Sequence, residues 1–225
     1  MTFLQITTVP APTADVPEVA DSISLLELLM KGGWVMIPIL LLSLIAVFVI
    51  IERTLALSRA GKKKAGLMDL IRTSIQKGDL NAAQMAVAQH DTPAGIMLLK
   101  GIKRIGSPLK EIESAMENTG RVEIMKLEKN MNLLGVVAAI APMLGFVGTI
   151  SGVIKIFYNI SLADNISIGL IAGGLYEKMV TSATGLIVGI IAHTGYQLLN
   201  MKIESISLET EKAGVEFIDI ITETN

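Results

Sequence analysis

Three long apolar runs dominate the hydrophobic pattern of this chain. They cover residues 34–52, 131–157 and 167–199, and charged or short polar segments separate them. A helix needs about 20 apolar residues to cross the hydrocarbon core of a bilayer. The pattern therefore predicts an all-α membrane protein with three transmembrane helices, of which the third is longer than a bilayer requires.

The polar segment between the first two runs, residues 53–130, is predicted to be a helical domain. Glycine, proline and capping residues interrupt its helical pattern at four places. These places are Gly61, Gly78–Asp79, Asp91–Pro93 and Gly106–Pro108. A charged helix from about Leu109 to Lys129 closes the segment and shows no obvious boundary before the second transmembrane run.

The remaining segments are short. Residues 1–21 contain acids and prolines but lack the basic region and apolar core of a cleavable signal, so we expect a flexible tail. Residues 22–33 have apolar positions at helical spacing and end in two glycines, which predicts an amphipathic helix at the membrane interface. We expect residues 158–166 to form a loop. Residues 200–225 alternate apolar positions with Glu and Lys, which predicts a C-terminal helix outside the membrane.

The distribution of positive charge predicts the orientation. Of the 19 Lys and Arg residues, 14 lie between Arg53 and Lys129, whereas residues 158–166 contain none. Because cytoplasmic loops carry an excess of Lys and Arg, the long segment is expected in the cytoplasm. The N-terminus is then outside and the C-terminus cytoplasmic. If the host is a double-membrane bacterium, the chain lies in the lipid of the inner membrane and its N-terminus is periplasmic. The charge thus concerns topology, and no nucleic-acid partner is expected.

The composition also excludes several kinds of site. The chain has no cysteine, which excludes disulfides and thiolate metal ligands. Its two histidines, His90 and His193, are too few and too far apart for a zinc site, so no metal is expected. No nucleophile and base, HExxH motif or paired carboxylates stand at workable spacing, and the chain is not expected to be an enzyme.

The third run contains a carboxylate, Glu177, with Thr181 and Ser182 one turn further on. A charged group inside a membrane helix is costly and by default marks an ion or proton pathway. Small and hydroxylated neighbours could hold water beside it. Two alternatives remain open without ion transport: an ion pair with Lys178, or a position at the membrane interface because the span begins near Leu175.

The second run carries small residues at steps of three and four, with a threonine among them. Such a stripe permits close helix contact or lines a narrow pore, and ordinary packing without transport is the alternative. Gly148 and Gly152 also form a GxxxG pair, and further pairs occur at Gly169 and Gly173 and at Gly185 and Gly189. Three such pairs in one chain favour a tightly packed oligomer, although one pair alone would not. The members of the stripe are Gly135, Ala138, Pro142, Gly145, Thr149 and Gly152.

Two segments carry a family resemblance. Residues Ala141 to Gly152, with the sequence APMLGFVGTISG, resemble the APxLGLLGTVxG motif of the MotA/TolQ/ExbB proton-channel family. Residues Tyr176 to Leu186 are similar to the EALxxTAxGL motif on the third helix of that family. The three-span order, the long cytoplasmic segment and the Glu52–Arg53 pair at the end of the first span fit as well, and the likeness is greatest to the ExbB type.

The resemblance implies a role for individual residues in a proton pathway. Glu177 matches the acidic residue of the third helix, Thr149 the pore threonine of the second helix, and Ser182 the position of the third-helix threonine. Lys178 and Thr184 depart from the family pattern, which usually has a small apolar and an aliphatic residue there, and are expected to modulate the pathway.

The resemblance also implies partners. Members of the ExbB type form homopentamers around a dimer of a single-span ExbD-like partner and drive a TonB-like energiser of outer-membrane import. Protons are the transported ion and no cofactor is implied. A TolQ-type subunit for envelope constriction or a gliding or motility stator would use the same motor on another load. A non-conducting membrane scaffold is the alternative from a different class.

Overall fold

The computed structural model describes residues 33–61, 66–162 and 168–224, and the elements of these residues are helices. The predicted tail 1–21 and nearly all of the predicted interfacial helix 22–33 lie outside the described residues. The helices are α1 (Met36–Ala60), α2 (Leu67–Gln76), α3 (Leu80–Ala88), α4 (Pro93–Ile102), α5 (Leu109–Leu127), α6 (Met131–Leu162) and α7 (Ile168–Thr224).

Helix ends occur at all four predicted breaks. The side-chain oxygens of Asp79 and Thr92 each accept a hydrogen bond from the backbone N–H three residues later, at 2.9 and 3.2 Å. These bonds satisfy donors that the first turn of a helix leaves unpaired. Gly61 follows the last residue of α1, and Gly106 adopts a φ of 103° shortly before α5 begins. The predicted breaks are therefore confirmed.

The prediction that no boundary separates the charged helix from the second span is wrong. Helix α5 ends at Leu127, and α6 begins at Met131. Asn130 lies between them with a φ of 64°, in the left-handed region that interrupts a right-handed helix. Asparagine tolerates this conformation better than most residues. The chain therefore bends at the point where the charged helix meets the apolar one.

Helix α7 is continuous over 57 residues, about 85 Å. It joins the predicted third span and the predicted C-terminal helix 200–225 without a break. Helix α6 also runs further than its predicted span, through Leu162, so that it includes the first five residues of the predicted 158–166 loop. Long helices thus extend beyond both apolar runs.

Two apolar cores organise the described residues. One is formed by α1, α6 and α7 as far as Ile206, with Ile39, Leu134 and Ala192 fully buried. The other packs α2, α3, α4 and α5 against the end of α7 around Phe217. By length and hydropathy, three helical segments within the described part of the chain could cross a membrane, one in α1, one in α6 and one in α7.

The outer faces of these three helices are apolar as well. Large side chains such as Phe48, Phe146 and Ile190 are more than 60% exposed. A water-soluble chain rarely exposes so much contiguous apolar surface, whereas lipid or a neighbouring subunit accommodates it. The surface therefore agrees with a membrane-embedded protein.

Candidate functional site

The packing of α6 on α7 follows a line of buried residues that overlaps the predicted stripe only in part. Gly145 and Gly152 of the stripe are buried, as is Gly148 of the GxxxG pair. The other stripe members are half-buried at the edge of the contact, namely Gly135, Ala138, Pro142 and Thr149. The stripe therefore divides by exposure: one part makes the helix contact, and the other remains accessible beside it.

Close contact is possible because glycines of α7 face small or backbone groups of α6. A Cβ atom on Gly185 would lie 2.6 Å from the Ala141 carbonyl oxygen and 3.0 Å from the Gly145 Cα. Gly189 lies against the ring of Pro142 so closely that a Cβ there would overlap it. Glycine permits this approach of two backbones, as in other small-residue helix pairs in membranes.

Thr149 and Ser182 both adjoin Gly145. The Thr149 hydroxyl donates to the Gly145 carbonyl oxygen at 2.9 Å, one turn back on its own helix. Across the contact, a Cβ on Gly145 would lie 3.1 Å from the Ser182 carbonyl oxygen. The side chains of Thr149 and Ser182 are half-buried. The two residues therefore adjoin the same glycine, Thr149 through its hydroxyl and Ser182 through its backbone.

Glu177 forms an ion pair with its neighbour in sequence. Lys178 Nζ donates to Glu177 Oε1 at 2.9 Å. The Glu177 side chain is 39% exposed and the Lys178 side chain 21%. The two residues are about 100° apart around the helix, so the lysine must bend back along α7 to reach the carboxylate. The ion pair that the sequence left open as an alternative is thus present.

The lysine stem rests on α6. A Cβ atom on Gly152 would overlap the Cγ, Cδ and Cε atoms of Lys178. One turn further along α7, Thr181 is fully buried, and its hydroxyl donates to the Glu177 carbonyl oxygen at 3.3 Å. The Thr181 methyl group lies over Gly148. The two glycines of the GxxxG pair therefore make room for Lys178 and Thr181.

The ion pair lies near one end of the contact between α1 and α7. At this end, a Cβ on Gly33 would lie 3.6 Å from Glu177 Oε1; at the other, a Cβ on Gly61, just after α1, would lie 3.5 Å from Ile206 Cδ1. From residue 177 to residue 206 the helix rises about 44 Å, so this contact runs further than the roughly 30 Å of a hydrocarbon core.

The predicted site residues therefore fall into two groups. Glu177 and Lys178 lie beside the start of α1, whereas Thr149 and Ser182 lie along the edge marked by Gly145. Glu177 and Ser182 are about 140° apart around α7. Thr184, the second departure from the family pattern, donates to the Val180 carbonyl oxygen at 2.9 Å and is half-buried.

Sequence analysis missed a polar junction at the opposite end of α1. Arg53 is 7% exposed, and its Nη1 lies 3.5 Å from the carbonyl oxygens of Lys126 and Leu127 at the end of α5. A cation there complements the negative end of the helix dipole. Arg53 Nη2 also pairs with Glu52 Oε1 at 2.6 Å. Glu52 and Arg53 were visible in the sequence, but the helix end that they contact was not.

Asn130 completes this junction. Its Nδ2 donates to Glu52 Oε2 at 3.0 Å. The bond fixes the side chain of a residue whose own backbone conformation separates α5 from α6. The junction thus links the end of α1 to the bend between the charged helix and the apolar helix.

The fold and the site together define the class of the protein: a helical membrane protein in which polar groups border the tight contact of two apolar helices. A model of the MotA/TolQ/ExbB proton channel family matches residues 89–212, more than half of the sequence. The chain belongs to this family, which consists of membrane transport and energiser proteins. The match covers α4, α5, α6 and much of α7.

Individual relatives agree with this assignment. The biopolymer transport protein ExbB-like 1 of Synechocystis sp. is 29% identical over 178 residues, covering 78% of this chain and 70% of that protein. ExbB of Neisseria meningitidis is 27% identical over 180 residues, covering 74% and 80%. TolQ of Haemophilus influenzae is 28% identical over 113 residues, half of each chain. The predicted family, with the greatest likeness to ExbB, is confirmed.

Proposed function

We propose that this chain is the proton-conducting subunit of an ExbB-type motor in the bacterial inner membrane. The observation that carries the proposal is the position of Glu177, a carboxylate on an apolar helix pair in a chain of this family. Packing alone does not require a carboxylate there, and charged groups within membrane helices generally mark ion pathways.

In this proposal Glu177 takes up protons near the periplasmic end of the span. Its side chain is 39% exposed, which leaves the carboxylate accessible to water or to a partner. Thr181, Thr149 and Ser182 supply hydroxyl groups deeper in the α6–α7 pair. A hydroxyl both donates and accepts hydrogen bonds, so that it can stabilise a proton carrier in either state.

The apolar outer faces support a ring of identical chains. We infer a homopentamer that encloses a dimer of an ExbD-like single-span partner, with the half-buried edge of Gly135, Ala138, Pro142 and Thr149 as part of the pore wall. Proton binding and release in each subunit would bias rotation of the partner. The partner in turn would drive a TonB-like energiser of outer-membrane import.

The energy available is modest for each proton. One charge that crosses a membrane potential releases about 2.3 kcal/mol per 100 mV. Several protons are therefore needed for one mechanical step, which suits a ring with one carboxylate per subunit.

Proton flux into liposomes tests the proposal. The full chain, purified together with the single-span protein that accompanies it, is reconstituted and compared with Glu177→Gln under an imposed potential. We expect flux to fall to the background of protein-free liposomes while the complex elutes as the wild type does. Glu204→Gln is the matched control, because Glu204 is an exposed carboxylate on the same helix beyond the span, and it should conduct normally.

Equal flux in the wild type and Glu177→Gln would exclude Glu177 as the proton site. Absence of flux from every preparation, with the partner present, would favour a non-conducting scaffold.

A TolQ-type load is the second candidate, because TolQ of Haemophilus influenzae matches half of the chain. The same motor would then serve envelope constriction. Co-purification distinguishes the two loads: a TonB-like protein in the complex supports import, and proteins of a Tol-Pal system support constriction.

A further inference from the structure

The ammonium group of Lys178 lies where a cation bound to Glu177 would lie. Its Nζ is 2.9 Å from Glu177 Oε1. The lysine side chain is 21% exposed, and the small Gly152 of the facing helix lets its carbon stem lie against α6. The chain therefore provides both a counter-ion for the carboxylate and a place that holds it.

We propose that Lys178 is the ion-selectivity residue of this site: its ammonium group fills the cation position beside Glu177, so that the site accepts protons and excludes Na⁺. The inference rests on the proposed function, in which Glu177 is the ion-binding carboxylate. It adds the residue that determines which ion the site accepts.

Proton and sodium binding differ in what they require. A proton bonds to one carboxylate oxygen, needs no further ligands and neutralises the carboxylate. A sodium ion keeps its charge and needs several oxygen ligands around it, and the ammonium repels it at short range. Protonation of Glu177 removes the counter-charge of the ammonium, so Lys178 opposes protonation electrostatically as well. Lys178 thus opposes both ions by its charge, but only sodium also loses the position and the oxygen ligands that it needs, because the ammonium occupies that position.

Gly152 makes room for the Lys178 stem and so helps to position its ammonium group beside Glu177. A Cβ at residue 152 would overlap three carbons of the Lys178 stem, so Gly152→Ala must displace the stem without changing any charge. Lys155, one turn further along α6, is exposed and provides a control for the general loss of positive charge.

The test measures uptake of ²²Na⁺ and proton flux in the same liposomes, with the full chain and its co-purified single-span partner. Lys178→Met keeps the length of the stem and removes the charge, so we expect sodium uptake to rise at least about tenfold above the wild type, equal to about 1.4 kcal/mol of ion discrimination. Lys178→Arg keeps a positive charge and should exclude sodium as the wild type does. Lys155→Met should also behave as the wild type. Gly152→Ala should admit sodium to a smaller extent.

Each other outcome is informative. An assembled Lys178→Met complex that conducts protons but takes up no sodium would overturn the inference and leave the proposed function intact. Loss of both fluxes in that variant would also overturn it, because Lys178 would then be required for conduction rather than for selectivity. If Lys178→Met fails to assemble, Gly152→Ala becomes the test. Exclusion of sodium by an assembled Gly152→Ala complex would then contradict the inference. Wild-type flux in Glu177→Gln would instead remove the proposed function itself.

Discussion

The Asn130 side chain donates a hydrogen bond to Glu52 Oε2 at 3.0 Å across a separation of 78 residues. Asn130 has a φ of 64° at the bend between α5 and α6. Glu52 in turn pairs with the buried Arg53 of α1, whose guanidinium group contacts the carbonyl groups at the end of α5. One polar cluster therefore connects the end of the first apolar helix, the end of the charged helix and the start of the second apolar helix.

Substitution of Asn130 separates its two contributions to stability, the hydrogen bond to Glu52 and the left-handed backbone conformation. Asn130→Ala loses the hydrogen bond and replaces asparagine by a residue that tolerates the left-handed region less well, and we expect a loss of about 1–3 kcal/mol in stability. Asn130→Gly loses the hydrogen bond but adopts the same φ without steric cost, so its loss should be smaller. Thermal unfolding in detergent micelles measures both. An equal decrease in Tm would show that the backbone conformation contributes nothing.

The contact of α6 and α7 should be sensitive at Gly185. Its added Cβ would meet the Ala141 carbonyl oxygen at 2.6 Å, and backbone atoms of two helices cannot move aside independently. We expect Gly185→Ala to cost about 1–3 kcal/mol. Gly173→Ala is the matched control, because a Cβ on Gly173 of the same helix meets nothing within 4 Å. Thermal unfolding and the yield of monodisperse protein should both decrease for Gly185→Ala alone, and similar values for the two variants would argue against this contact.

These residues show how far the sequence could predict the structure. The caps Asp79 and Thr92 were predictable because they act on backbone groups three residues away. The conformation of Asn130 was not, since its partner Glu52 is remote in sequence. The Glu177–Lys178 ion pair was only one of the alternatives, because the direction of the Lys178 stem depends on Gly152 of another helix. Local signals thus gave the helix ends, and long-range contacts decided the geometry of the site.

The role of the Thr149 hydroxyl in conduction can be tested separately from the shape of the side chain. Valine replaces the hydroxyl by a methyl group of similar size, so Thr149→Val should assemble normally. If the hydroxyl helps to stabilise the proton carrier, proton flux should fall about fivefold, the equivalent of one neutral hydrogen bond of about 1 kcal/mol. Thr149→Ser keeps the hydroxyl and should conduct nearly as well as the wild type. Unchanged flux in Thr149→Val would remove this hydroxyl from the pathway.

The orientation in the membrane is testable because the chain has no cysteine of its own, so an introduced thiol is labelled without background. The positive-inside rule places the Lys- and Arg-rich segment in the cytoplasm, and three crossings then put the two termini on opposite sides. A cysteine at Asp15 should therefore react with an impermeant maleimide in intact spheroplasts. Val215 is 61% exposed on the last part of α7, and a cysteine there should react only after the membrane is permeabilised. Labelling at position 215 but not at position 15 in intact spheroplasts would invert the orientation and place Glu177 near the cytoplasmic face.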